Sequence, residues 1–236
     1  MQKIIICGFP HSGTTILKSI MGHIDDVEEI YNETDTISLQ SKSKFVLCKW
    51  PFISKGYHTT VDSVTKDNFF MKKNYNDYIK IFIIRNPLFV FSSLNKRYSY
   101  NIPLNHSIDV YINTIKQFVK YTNEPQKNIY TIKYEDMFDN NFQLLKTLFN
   151  TIGINYNDNI FNNDNYTNIL HTQFQLSKVK PKNPAKQHME YRTWQINQPF
   201  VSNNDNSKIH LNESQKQQII NNEYILTVYP DIKNIN

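Results

Sequence analysis

The chain has 236 residues, 39% of them hydrophobic, enough to bury one sizeable core. Its 26 basic and 21 acidic residues leave a formal charge of +5, a mild bias toward anionic ligands that makes no case for a nucleic-acid partner. Two cysteines are too few for a disulfide framework, and no apolar run approaches the length of a membrane span, so a cytoplasmic protein with no membrane partner is expected.

Residues 3–8 (KIIICG) form an apolar, β-branched run without alternation, the pattern of a strand buried on both faces of a parallel sheet. The run begins almost at Met1, so no signal sequence is expected. It feeds directly into GFPHSGTT, residues 8–15. Gly8 and Gly13 keep the spacing of the phosphate loop G-x-x-x-x-G-K-[ST], but Thr14 stands where that loop has lysine. Ile16, Leu17, Ile20 and Met21 then recur at helical spacing, so a helix is expected from Thr14 to about His23.

Further strands are predicted at 45–49 (FVLCK), 78–84 (YIKIFII) and 129–133 (IYTIK), and helices at 60–73, 87–98, 105–121, 139–152 and 212–224. Cys7 and Cys48 fall inside strands and read as buried free thiols, which suits a reducing compartment. Strands alternating with segments long enough for crossover helices predict an α/β fold with a mostly parallel central sheet flanked by helices. Residues 1–236 read as a single domain, in which 155–206 is a long irregular segment.

Ligands of open parallel sheets collect outside the carboxyl ends of the strands. There the sequence sets His11, Ser12, Gly13, Thr14 and Thr15 after the first strand and Lys49-Trp50-Pro51 at the end of the second. Arg85-Asn86-Pro87 follows the third and Tyr134-Glu135-Asp136 the fourth. Cations, hydroxyls and a glycine loop are thereby brought to one edge. The seven histidines show no paired metal-ligand spacing, so no metal is expected.

In these residues the chain resembles the sulfotransferases that use 3′-phosphoadenylyl sulfate (PAPS) and release adenosine 3′,5′-bisphosphate (PAP). GFPHSGTT is similar to that family's 5′-phosphosulfate loop G-x-P-[RK]-S-G-T-T except at His11, and RNPLFVFSS to its 3′-phosphate motif, with Arg85 and Ser93 eight residues apart. YEDMFDNNFQLLKTLFNTIGI resembles its Tyr-Glu-Asp turn and following helix. The matches cover residues 3 to about 154 in order, and the final third only loosely. The resemblance implies that Ser12, Gly13, Thr14 and Thr15 hold the 5′-phosphosulfate through backbone N–H groups and hydroxyls. It implies that Arg85 and Ser93 bind the 3′-phosphate, with Arg97 either extending that site or an exposed helix cation, and that Tyr134 lies near the adenine.

Asn32-Glu33-Thr34 resembles the Glu-Glu-Thr segment of protein-tyrosine and several carbohydrate sulfotransferases, which implies Glu33 as the base that takes the acceptor hydroxyl's proton. Lys49-Trp50-Pro51 resembles their Lys-x-Pro, implying that Lys49 stabilises the leaving oxygen. His11 replaces the family's Arg or Lys; a neutral imidazole there donates one hydrogen bond, whereas a protonated one restores the charge. A late basic loop that closes over the cofactor in the family makes Lys182, Lys186 and Arg192 candidate contacts, within the 155–206 segment expected to cover the site. The activity implied is sulfuryl transfer from PAPS to an acceptor hydroxyl on a carbohydrate, a tyrosyl side chain or a small molecule. The rivals are a PAP-binding protein with altered catalysis and a P-loop kinase, against which the missing loop lysine counts. The spacing specifies neither the acceptor nor an oligomeric state.

Overall fold

A computed structural model describes residues 1–30, 37, 41–51, 76–162, 179–182, 187–196, 198 and 200–235, with only the backbone at 51, 105, 188, 189 and 192. The helix expected at 60–73 lies outside the described residues, as do Glu33 and Lys186.

Five strands form one sheet, β1 Gln2–Gly8, β2 Val27–Glu29, β3 Phe45–Pro51, β4 Tyr78–Ile84 and β5 Ile129–Lys133, in the order β2-β3-β1-β4-β5. Every pairing is parallel. The α/β reading of the sequence therefore holds. The chain lays β2 and β3 on one side of β1 and then returns to place β4 on the other, so the order reverses beside β1 and opens a crevice at the carboxyl ends of β1 and β4. There Gly8 lies so close to β4 that an added Cβ would stand 2.3 Å from the Ile83 carbonyl oxygen.

Both sheet faces are buried, which is why the strands read as unbroken apolar runs. Ile4 and Ile6 of β1 pack with Leu17 and Ile20 of α1 (Thr14–Gly22), and with Leu145 and Phe149 from Gln143–Ile152. Ile5 and Cys7 pack on the opposite face with Leu88, Phe91, Tyr111 and Ile115. These come from α2, Pro87–Tyr98, and α3, Ile108–Asn123.

Helix boundaries follow local chemistry. Asn86 caps α2 by accepting from Leu88 N at 3.0 Å, and Pro87 takes the first helical position, where its missing N–H costs nothing. Ser107 caps α3, which begins three residues later than the periodicity predicts. Helix α4, Gln143–Ile152, begins four residues late because Asn140, Asn141 and Phe142 all have positive φ, a left-handed backbone that cannot continue a helix.

Helix α5, His188–Ile196, forms inside the stretch that reads as irregular. The late helix is two, α6 Glu213–Ile220 and α7 Glu223–Val228, divided where Asn222 turns its side chain to cap α7. No described helix is long and apolar enough to cross a membrane.

Candidate functional site

The glycine loop carries β1 into α1 without a side-chain cap on the helix among the described residues. Gly13 is the N-cap residue, at φ 93°, and offers no side-chain hydrogen bond; the first turn contains no acidic residue. Its N–H groups and the positive end of the helix dipole thus suit an anion. Ser12 Oγ lies in the same loop, fully buried and without a hydrogen-bond partner, a state that costs roughly 1–3 kcal/mol until an acceptor is supplied. An oxyanion on the loop is such an acceptor.

A lysine reaches the loop from the neighbouring strand. Lys49, near the end of β3 and only 8% exposed, directs Nζ to Thr15 Oγ1 at 2.7 Å. Its register partner in β1 is Ile6, two residues before the loop begins. A cation therefore stands beside the glycine loop without being part of it.

Arg85 leaves the end of β4 into the same crevice and is 9% exposed. Its guanidinium lies 4.4 Å from the centre of the Tyr134 ring, in cation–π contact. Nη1 donates to the His11 carbonyl at 3.4 Å, Nε to Asn204 Oδ1 at 2.8 Å and Nη2 to the Asn203 carbonyl at 2.9 Å. A guanidinium carries five N–H donors, so these three bonds leave two. Burial pulls Arg85 below its ordinary pKa, opposed by Tyr134, Glu135, Tyr229 and Tyr111.

The Asn203–Asn204 segment is held by the Tyr-Glu-Asp turn. Asn203 N donates to Tyr134 Oη at 3.0 Å, and Asn204 Nδ2 donates to Glu135 Oε1 at 2.8 Å. Glu135 Oε1 also accepts from Asn86 N at 2.9 Å. Thus Glu135 joins the start of α2 to the late segment, a role that neither spacing nor periodicity announces. Tyr134 is 3% exposed, its ring between Gly13 and Arg85, so it supports the crevice from behind.

His11 Nδ1 lies 2.8 Å from Ser93 Oγ. The pair ties the loop to α2. Burial, followed by the positive charges of Arg97, His106, Arg85 and Lys49, lowers the His11 pKa from 6.5 to about 3. At that value the imidazole is neutral near pH 7, which favours the uncharged alternative for the loop residue. His106 is lowered likewise, to about 4, by burial and then by Arg97.

The unfolded chain protonates histidine near 6.5, whereas folded His11 resists protonation down to about 3, so acid favours unfolding throughout that window. Urea unfolding should show wild type losing on the order of 1–2 kcal/mol more than His11→Asn between pH 7 and pH 5. Parallel losses in the two proteins would show that His11 has no such linkage.

The structure thus gathers His11, Ser12, Gly13, Thr14, Thr15, Lys49, Arg85, Ser93 and Tyr134 around one crevice. Arg192 contributes a backbone position in α5, Lys182 is exposed, and Glu33 and Lys186 fall outside the described residues. Asn203 and Asn204 were not anticipated. A cavity of about 590 Å³ bordered by His23, Asp25 and Asn157 lies at the opposite end of α1 and shares no residue with the crevice.

The family model for a sulfotransferase domain matches residues 1–219. Among solved structures, mouse sulfotransferase SULT7A1, crystallised with PAP, superposes with a TM-score of 0.53 at 17% identity, over 99% of this chain and 89% of that one. At that identity the likeness is one of fold. No curated protein sequence matches the chain closely enough to count as a relative.

Proposed function

The chain belongs to the sulfotransferase domain family, and from that premise we propose that it transfers the sulfuryl group of PAPS to an acceptor hydroxyl and releases PAP. The observation that carries this reading is the uncapped start of α1 with the unpartnered Ser12 hydroxyl, in one crevice with Arg85 and Ser93. A loop without its own lysine suits a phosphosulfate, which presents less charge than a triphosphate. The loop N–H groups, Ser12, Thr14 and Thr15 hold the 5′-phosphosulfate. Arg85 and Ser93 hold the 3′-phosphate.

Transfer is direct and in line. The acceptor oxygen attacks sulfur, the bond from sulfur to the bridging phosphate oxygen breaks, and the acceptor's proton passes to Glu33. Lys49 meets the negative charge that grows on the departing oxygen. No covalent intermediate is invoked, and both cysteines, Cys7 and Cys48, are buried in the sheet. A glutamate base with Lys-x-Pro favours the carbohydrate and tyrosyl-protein branches over that of phenols and steroids. The proposed covering of the site by 155–206 is supported by α5, which is attached to α1 through Ser19 Oγ and the Ile196 carbonyl.

Calorimetric titration with PAP, 5′-AMP and ATP, with and without magnesium, tests the proposal. Tight, metal-independent PAP binding that weakens greatly for 5′-AMP is expected; preference for magnesium-ATP would return the loop to the kinases. Lys49→Met should then lower turnover of PAPS roughly hundredfold with PAP affinity changed by less than about threefold. Unchanged turnover would remove Lys49 from the chemistry. The neutral His11 favours one second reading, a protein that holds PAP without turning PAPS over. Tight PAP binding with no sulfuryl transfer to any hydroxyl acceptor would establish it.

A further inference from the structure

Two consecutive serines in α2 have different fates. Ser92 Oγ donates to the Leu88 carbonyl at 2.6 Å and accepts from His210 N at 2.9 Å, so its hydrogen is spent inside the fold. Ser93 Oγ meets His11 Nδ1 instead. The direction of that one hydrogen bond decides what Ser93 can offer an anion. If the serine donates to a bare Nδ1, its hydrogen is consumed and only lone pairs remain, which repel a phosphate. If Nδ1–H donates to the serine, the hydroxyl hydrogen is free.

The surroundings of the ring favour the second arrangement. Arg97, Arg85 and Lys49 are all cationic and bear only donors, so none of them can accept an N–H from the imidazole, whereas the hydroxyl 2.8 Å from Nδ1 can. Ser93 is a partner that can accept an N–H. We propose that His11 is the positioning residue for the 3′-phosphate: its Nδ1–H donates to Ser93 Oγ and leaves the serine's hydrogen to donate to the anion. In this chain a neutral orienting group replaces the cation of the loop position, and discrimination for the 3′-phosphate depends on it. The inference rests on the PAPS reading given above and names a specificity residue within it.

The backbone at His11 has φ 67°, a left-handed conformation that asparagine adopts readily. His11→Asn therefore keeps both the turn and an N–H donor, whereas His11→Leu removes the donor. Titrations with PAP and 5′-AMP should be made on wild type, both His11 variants, Ser93→Ala and the His11→Leu/Ser93→Ala double variant. His11→Leu and Ser93→Ala should each weaken PAP binding about tenfold and leave 5′-AMP within about twofold, with the double variant no weaker than Ser93→Ala alone. His11→Asn should stay within about threefold of wild type for both ligands.

Equal losses for PAP and 5′-AMP in His11→Leu would overturn the proposal. So would losses that multiply in the double variant, or failure of asparagine to rescue. Nitrogen-15 NMR of the imidazole gives a readout that needs no nucleotide: a protonated Nδ1 supports the assignment and a bare Nδ1 overturns it. Failure of wild type to bind PAP would bring down the PAPS reading and this inference together. PAP binding with a bare Nδ1 would bring down the inference alone.

Discussion

Replacing Arg85 by alanine is expected to weaken PAP binding about a thousandfold while 5′-AMP affinity changes less than about threefold. The fold sets the Arg85 guanidinium in this crevice, at the end of a central strand and against the Tyr134 ring. Its planar donors are pre-oriented, so little side-chain freedom is lost when a phosphate arrives. Alanine would remove the charge and also leave the Asn203 carbonyl and Asn204 Oδ1 without their donor. Lower thermal stability should therefore accompany the lost affinity, and Arg85→Lys separates the two. Lysine restores a positive charge but neither the stack nor the fork, so it should recover only part of the PAP affinity. Titration of the three proteins checks this; equal weakening for PAP and 5′-AMP would mean that Arg85 supports the fold and does not read the 3′-phosphate.

Gly13→Ala is expected to be strongly disruptive for a change of a single methyl. At φ 93° an L side chain is strained, and the added Cβ would stand 2.3 Å from Tyr134 Cδ2. Relief requires either the loop or the ring to move, and the ring is held by Arg85 on its face and by Asn203 N at its hydroxyl. Strain and overpacking together should cost about 3 kcal/mol, a fall in Tm on the order of 10 °C for a domain of this size. PAP binding should be lost in the same variant even below its Tm, since displacement of Tyr134 displaces Arg85. A melting temperature within about 2 °C of wild type would show that the loop has room the geometry denies it.

The strands were legible because burial on both faces writes itself as continuous apolar runs; 78–84 is read to the residue. Helix α2 is likewise read to its ends, since Asn86 and Pro87 are cap and first-turn residues whose chemistry is local. Strand β2 was not legible: Val27–Glu29 is three residues long within an acidic stretch, and only its register with Phe45 to Leu47 makes it a strand. Nor could composition announce the left-handed run at 140–142 that delays α4.

The same division runs through the site. The glycine loop, Lys49, Arg85 and Ser93 lie at strand ends or on an adjoining helix, where topology alone brings them together. Asn203 and Asn204 sit in a polar run with no periodicity, and their importance comes from partners more than sixty residues away. His11 was visible as a departure from the loop pattern. Its neutrality was not, because that depends on four charged or titratable neighbours supplied by other segments.

The bonds from Arg85 to Asn203 and Asn204 span 118 and 119 residues of chain, and that from His11 to Ser93 spans 82. During synthesis all five strands have been made by residue 133, so the sheet can assemble while the clasp on Arg85 has yet to be translated. Closing loops that long is slow compared with forming a helix, and it yields nothing until both ends meet. Recognition is therefore acquired after architecture: a chain that has already built its sheet stays unable to set Arg85 until its final quarter has folded back across the crevice.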